Sequence, residues 1–173
     1  TFNTSISGIE DSDFCLLVGV NPRIDASMIN ARIRKRFLQG NYPIYLIGPK
    51  MDLNYDYKFL GNNPTILEKI FKDKHFLSKK LKKSKKPIII VGDNVLNRDD
   101  GQSILNLIYK ICLKFRFIQQ TNNNITWNGY NILHYAASRV GSLDLKFYSN
   151  RSNFNLDKIY QSSDKKELDL IYL

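Results

Sequence analysis

FCLLVGVNPRIDASMINARIRKRF, residues 14–37, joins an apolar strand to a basic helix through a tight turn. Residues 14–20 are apolar without alternation, the pattern of a strand covered on both faces in a parallel sheet. Gly19 permits a sharp exit or a close backbone approach, and Pro22 holds Asn21 in an extended or turn conformation. Asp25 is placed to cap the following helix, where Ala26, Ile29, Ile33 and Phe37 recur at spacings of three and four. Arg32, Arg34, Lys35 and Arg36 fall largely off that stripe. The simplest reading is one βα unit with a solvated basic face.

Working outward, residues 4–13 read as a short opening helix with Thr4 or Ser5 as cap and Ile6 and Ile9 facing inward. Residues 42–47 and 87–91 form two more apolar strands, and LDLIYL at 168–173 reads as a fourth. Helices are expected from Pro64, over 76–83, over 99–117 and over 131–140. Residues 50–63 read as a polar, tyrosine-rich loop, and 119–130 and 148–166 as irregular excursions. The whole is a single α/β domain, or a fragment of one, over residues 1–173: an open, mainly parallel, Rossmann-like sheet of about four strands flanked by helices.

Three strands end alike: LVGVN at 17–21, LIGPK at 46–50 and IVGDN at 90–94. Ligands of open parallel sheets sit outside the carboxyl ends of strands, so Gly19, Gly48 and Gly92 are placed where a ligand would bind. Tight strand exits also need glycine when nothing binds. GxGxxG is absent and no acidic residue ends the second strand, which leaves the dinucleotide fingerprint incomplete. Asp93, Asp99 and Asp100 read as turn and cap residues, and His134 as a helix side chain. Neither His75 nor His134 has a partner visible in the sequence.

The composition is globular, with 43% hydrophobic and 24% charged residues, and no run reaches the roughly 18 consecutive apolar residues of a membrane helix. No secretory signal is visible at the N-terminus. The net charge is +10, and eight of the 26 basic residues are Lys72, Lys74, Lys79, Lys80, Lys82, Lys83, Lys85 and Lys86. Such a run can meet nucleic acid or anionic lipid, although it is usually a solvated helix face. Abundant Asn, Ile, Lys, Tyr and Phe match A/T-rich codons, as in an organellar or parasite genome. Cys15 and Cys112 lie in apolar patterns and read as buried thiols. Two cysteines without CxxC and two distant histidines do not make a four-ligand iron–sulfur or zinc site.

FNTSISGIEDSD before the first strand, VGVNPR at its turn and NARIRKR on the helix carry a family resemblance. LIGPKMDLNYDYKFLG, KKPIIIVGDNVLNRDDG and NGYNILHYAASRVGSLDL extend it over nearly the whole chain. Together they resemble the C-terminal part of the large iron–sulfur subunit of respiratory complex I, NADH:ubiquinone oxidoreductase. That resemblance implies a molybdopterin-oxidoreductase-like fold whose complex I branch keeps the architecture without the cofactor. Relatives carrying molybdenum or tungsten use such glycine and Asn-Pro turns to cradle a pterin nucleotide. Here Ser27 in ASMIN stands where the family has proline, and no cofactor role is carried onto Gly19, Asn21 or Pro22.

The resemblance further implies that the iron–sulfur clusters lie in the N-terminal half of the subunit or in a separate chain. No catalytic, cofactor-binding or metal residue is therefore expected in this chain, and no cofactor. The expected function is a redox-inert structural part of the hydrophilic arm, supporting electron transfer from NADH to ubiquinone carried by other parts. Partners would be other complex I subunits, above all the cluster-bearing half, with no nucleic acid and no direct membrane span. The implied location is the matrix side of the mitochondrial inner membrane. The chain is expected to be a fragment or one half of a split subunit. Two alternatives remain: a basic nucleic-acid-binding α/β module, from the lysine run, and a pterin- or dinucleotide-binding oxidoreductase, from the glycine-ended strands.

Overall fold

A strand with no polar residue needs cover on every side, and the run beginning at Phe14 has it. The computed structural model describes residues 1–121, 124–146, 156–167 and 170. In it β1 (Phe14–Val18) lies between β2 (Ile44–Ile47) and β4 (Pro87–Val91), parallel to both. β3 (Lys58–Gly61) pairs outside β2 and β7 (Tyr130–Ile132) outside β4, giving a five-stranded parallel sheet in the order β3-β2-β1-β4-β7. Side chains alternate between its two faces. Phe14, Leu16, Val18, Ile89 and Val91 pack against α3 (Thr65–Phe71), α4 (Phe76–Lys83) and α6 (Gly101–Lys114). Cys15, Leu17, Leu46, Ile88 and Ile90 meet Ile29 and Ile33 of α2 (Ser27–Leu38). The short helices α1 (Pro22–Asp25) and α5 (Asp93–Leu96) follow β1 and β4. Contacts divide the chain into Thr1–Tyr135, which holds all of these elements, and Ala136–Leu173, which holds α7 (Arg139–Asp144) and α8 (Leu156–Asp164).

Polar side chains fix the entrances to the strands. Asp13 receives the backbone N–H groups of Lys85 and Lys86 at 2.6 and 3.0 Å, together with the Ser84 hydroxyl, so the start of β1 holds the start of β4. The basic face of α2 is not simply solvated. Lys35 lies 2.8 Å from Glu10, Arg32 joins the same carboxylate, and Arg36 donates to the Ser12 carbonyl at 2.8 Å while stacking over Tyr42. Lys35 and Arg32 hold the Glu10 carboxyl below its ordinary range. These contacts clamp α2 onto the 3₁₀ turn Ser7–Asp11 that stands where the opening helix was expected. Ile9 is buried there, whereas Ile6, expected inward, is 46% exposed.

The structure departs from the sequence expectations at several other elements. Asn21, not Asp25, caps the turn after β1, and α2 begins with Ala26 at its cap position. The expected helix over 99–117 is preceded by the separate turn α5 and runs only from Gly101 to Lys114. Residues 50–63 contain the edge strand β3, too short and too exposed to show a period. The stretch 119–130 holds a hairpin, β5 (Ile118–Thr121) against β6 (Asn124–Asn128). The expected helix over 131–140 is β7 at its start: the apolar spacing through Ile132 and Leu133 is helical, but pairing with β4 overrides it. Within 148–166, residues 156–164 are helical. The expected strand at 168–173 falls outside the described residues, apart from Leu170, which has no regular structure. β3 and β7 bring the described sheet to five strands.

Asn131 explains why β7 tolerates a polar residue at its centre. Its side chain is fully buried, and its Oδ1 accepts from the N–H groups of Asn3 and Thr4 at 2.8 and 2.9 Å. Its amide donates to Thr4 Oγ1, the Ile89 carbonyl and the Gly129 carbonyl. Every capacity of the amide is used, which removes the cost of burying it. Asn131→Ala leaves two backbone donors without their acceptor and is expected to lower unfolding free energy by about 2–3 kcal/mol in a urea titration.

His75 caps α4, its Nδ1 accepting from the Leu77 N–H at 3.3 Å. Burial, then the nearby charges of Lys69 and Lys58, depress its pKa below 6.5. The folded state therefore favours the neutral ring that the cap requires. This contribution is present above the unfolded-state pKa and is lost as pH falls through the depressed folded value. His75→Ala should cost about 0.5–1 kcal/mol at pH 8. The gap between the two proteins should narrow as the urea midpoints are followed toward pH 5.

Candidate functional site

Register brings the three strand-end glycines level. Val18 pairs with both Ile47 and Val91, so Gly19, Gly48 and Gly92 follow side by side at the carboxyl end of the sheet. Strand order reverses between β1 and β4, which places Gly19 and Gly92 at the switch point where doubly wound sheets bind ligands. A cleft of about 290 Å³ opens there, lined among others by Gly19, Gly48, Asn62, Asn94, Val95 and Arg98.

The glycines are consumed by packing. Gly19 has φ +57°, and a Cβ on it would meet Val95 Cγ2 at 2.6 Å. On Gly48, with φ +136°, a Cβ would come within 3.2 Å of the Gly19 nitrogen. On Gly92 it would collide with the Gly19 carbonyl oxygen and lie 2.7 Å from Val20 Cβ. Three strand exits and α5 thus interlock without side chains between them.

The turn's donors are occupied as well. Asn21 Oδ1 accepts from the Arg23 N–H at 3.2 Å, and Asp25 accepts from the Asn21 N–H at 2.9 Å. Arg98, the only charged residue lining the cleft among the described residues, is held by Asp100 through two hydrogen bonds of 2.6 and 2.8 Å. Asp100 raises the pKa of Arg98, and Arg98 lowers that of Asp100.

A second hollow of about 300 Å³ lies beside the first, lined by Asp25, Asp93, Asn94, Asn97, Leu133, His134 and Tyr135. His134 sits just beyond β7 rather than on a helix, with Nδ1 3.9 Å from Asp93 Oδ1. The other Asp93 oxygen accepts from the Tyr135 N–H at 2.8 Å. The sequence reading missed this pairing because it placed residues 131–140 on a helix. Asp93 directly after IVG and His134 soon after YNI are the signal, once both stretches are taken as strands. Asp99 stays at the surface.

Cys15 and Cys112 are buried and free, as expected. Burial pushes the Cys15 thiol up to about 12 and Cys112 higher still, far from a reactive thiolate. Among the described residues, no three His, Cys, Asp or Glu side chains gather as a metal site requires. Among the same residues, no helix is long and apolar enough to cross a membrane.

A parallel, doubly wound sheet with glycine exits at its switch point defines a Rossmann-like α/β protein of the nucleotide-cradling type. More particularly, the chain belongs to the molybdopterin oxidoreductase family, whose model matches residues 1–172. It is 47% identical over 171 residues to the NADH-ubiquinone oxidoreductase 75 kDa subunit of Reclinomonas americana, covering 99% of this chain and 23% of that protein. It is 43% identical over 146 residues to an NADH-quinone oxidoreductase subunit of Rickettsia bellii, covering 84% of this chain and 21% of that one. It is 42% identical over 146 residues to the mitochondrial NADH dehydrogenase [ubiquinone] iron-sulfur protein 1 of Solanum tuberosum, covering 83% and 19%. These findings bear out the resemblance carried by the motifs. The chain spans less than a quarter of the length of these relatives, 23%, 21% and 19% respectively.

A pterin nucleotide, the group for which the family is named, does not fit the residues at the switch point. The glycine faces that would admit its phosphates are filled by Val95, Val20 and Gly19 itself. The Arg98 guanidinium is already paired with Asp100, and the cleft's volume of about 290 Å³ lies at the bottom of the range for ligand pockets, roughly 300–1,000 Å³. Gly92→Ala tests the interlock. It should cost about 3 kcal/mol, because backbone must move. Gly40→Ala, where a Cβ meets nothing within 4 Å, should cost about 1 kcal/mol for its positive φ alone. Equal losses in a denaturation comparison would show that the switch point has room to spare.

Proposed function

We propose that this chain is a redox-inert structural part of the large iron–sulfur subunit of NADH:ubiquinone oxidoreductase, in the hydrophilic arm of complex I. The observation that carries the reading is the self-filled switch point. A fold of the cofactor-cradling type has its glycines packed against its own α5 and its turn donors satisfied by Asn21 and Asp25. It keeps the shape of a cradle and uses it as a joint. The chain's catalytic, cofactor and metal residues number none in this reading, and the iron–sulfur clusters belong to the remaining part of the subunit. Relatives named as iron–sulfur and 75 kDa subunits support that assignment.

The chain's partners are the cluster-bearing half of the subunit and neighbouring subunits of the arm. Its location is mitochondrial, on the matrix side of the inner membrane. Its chemistry is that of an interface: a rigid sheet whose polar clamps at Asp13, Glu10 and Asn131 hold its outer surface in a fixed shape.

The test has two arms. On native gels the chain should migrate with respiratory subunits and NADH:ubiquinone activity, and migration without them would end the assignment. The isolated chain should carry iron and molybdenum far below one atom per molecule by mass spectrometry. A stoichiometric amount of either would overturn the inert reading.

A further inference from the structure

Most of the protein's charge excess sits in one stretch of the chain. Residues 58–86 contain ten lysines and no arginine against Glu68 and Asp73, a surplus of eight within a net charge of +10. The stretch includes the edge strand β3 and the helices α3 and α4, and these helices pack on the sheet face opposite α2. On the α2 side the cations are largely used internally, by Glu10, Asp52 and the Ser12 carbonyl. On the α3–α4 side the few carboxylates are spent: Glu68 on Lys72, and Asp73 on both Lys82 and Lys114. Lys69, Lys74, Lys79, Lys83 and Lys85 are exposed, with no ion pair among the described residues.

Lys79 and Lys83 stand four apart on α4, a like-charge spacing that weakens a helix. The same field helps to keep His75 neutral. Within an isolated fold these like charges repel one another, whereas opposite carboxylates the same field becomes attractive.

We propose that the exposed lysine face of α3 and α4 is a docking surface for an acidic protein surface, with Lys79 and Lys83 as its central contacts and exposed Phe76 as its apolar contact. Phe76 is 43% exposed, at the start of the same helix. Its ring is flanked by His75, with centroids 4.5 Å apart, and by Lys58 Nζ at 4.5 Å. This crowding disfavours stacking by a base, on which single-strand nucleic-acid binders rely. Lysine without arginine also lacks the planar fork that grips phosphate through two parallel hydrogen bonds. Point charges arrayed around one apolar edge suit carboxylates on a protein, where the charges steer and Phe76 anchors.

The inference rests on the proposal that the chain works inside a larger assembly, but its test is separate. The native assembly is treated with a carbodiimide, which joins lysine amines to carboxylates in contact, and in parallel with an acetylating reagent, and both are mapped by mass spectrometry. Lys79 and Lys83 are expected to lose acetylation relative to the isolated chain and to be linked to Asp or Glu of another polypeptide. Full acetylation in the assembly overturns the proposal while leaving complex I membership standing. Protection without a carboxylate link, abolished by nuclease or by detergent, overturns it in favour of nucleic acid or lipid. The Lys79→Glu, Lys83→Glu double variant alters only exposed positions and should fold with unchanged circular dichroism. It should leave the assembly at lower salt than the native chain, and equal salt resistance counts against the proposal.

Discussion

The parallel pairing of β1 between β2 and β4 governs everything else in the sheet unit. Because β1 has neighbours on both edges and helices on both faces, its register is fixed by burial, and a shift of one residue would exchange its two hydrophobic sets. That register aligns Gly19, Gly48 and Gly92, and the alignment decides what the carboxyl end of the sheet can be. Side chains at these positions would have held the strand exits apart. With glycines they close on one another, and the space typical of a ligand crevice becomes a packed joint.

Polar residues enforce the arrangement from outside the core. The motif FNTSISGIEDSD reads in one dimension as a short opening helix, yet several of its members have a distant partner. Thr4 reaches Asn128 and Asn131, Glu10 takes two cations of α2, Ser12 meets Tyr42, and Asp13 gathers the backbone before β4. Individually, exposed ion pairs are weak, with a median near 0–1 kcal/mol. Their value here is positional: they set where α2 and β4 begin, leaving the apolar faces to supply the energy.

The sequence disclosed most clearly what burial repeats. β1, β2 and β4 were legible because each is an unbroken apolar run closed by glycine, and α2, α3 and α4 because their stripes keep a period of three to four. β3 was hidden because four residues at a sheet edge, two of them exposed, display no period. β7 was hidden because Asn131 contradicts strand preference, and the partners that satisfy its side-chain oxygen lie 127 and 128 residues away. The hollow beside the switch point was missed for the same reason, since His134 meets Asp93 only if β7 exists. The glycines were read correctly as strand exits, but whether their faces stay open depends on Val95 and Val20, whose positions no spacing rule supplies.

The closure of the sheet edge by Asn131 has a consequence in time. Residues 1–4 can satisfy their backbone groups at this site only after a segment some 127 residues later has been made. At synthesis rates of roughly 5–20 residues per second, that delay is on the order of ten seconds. For the last part of it, once β4 has been made, the β4 edge awaiting β7 is open to any other strand. The completed edge therefore follows the order of synthesis: β1, β2 and β4 are made before β7, and the Thr1–Thr4 segment can lock into place only once β7 has arrived.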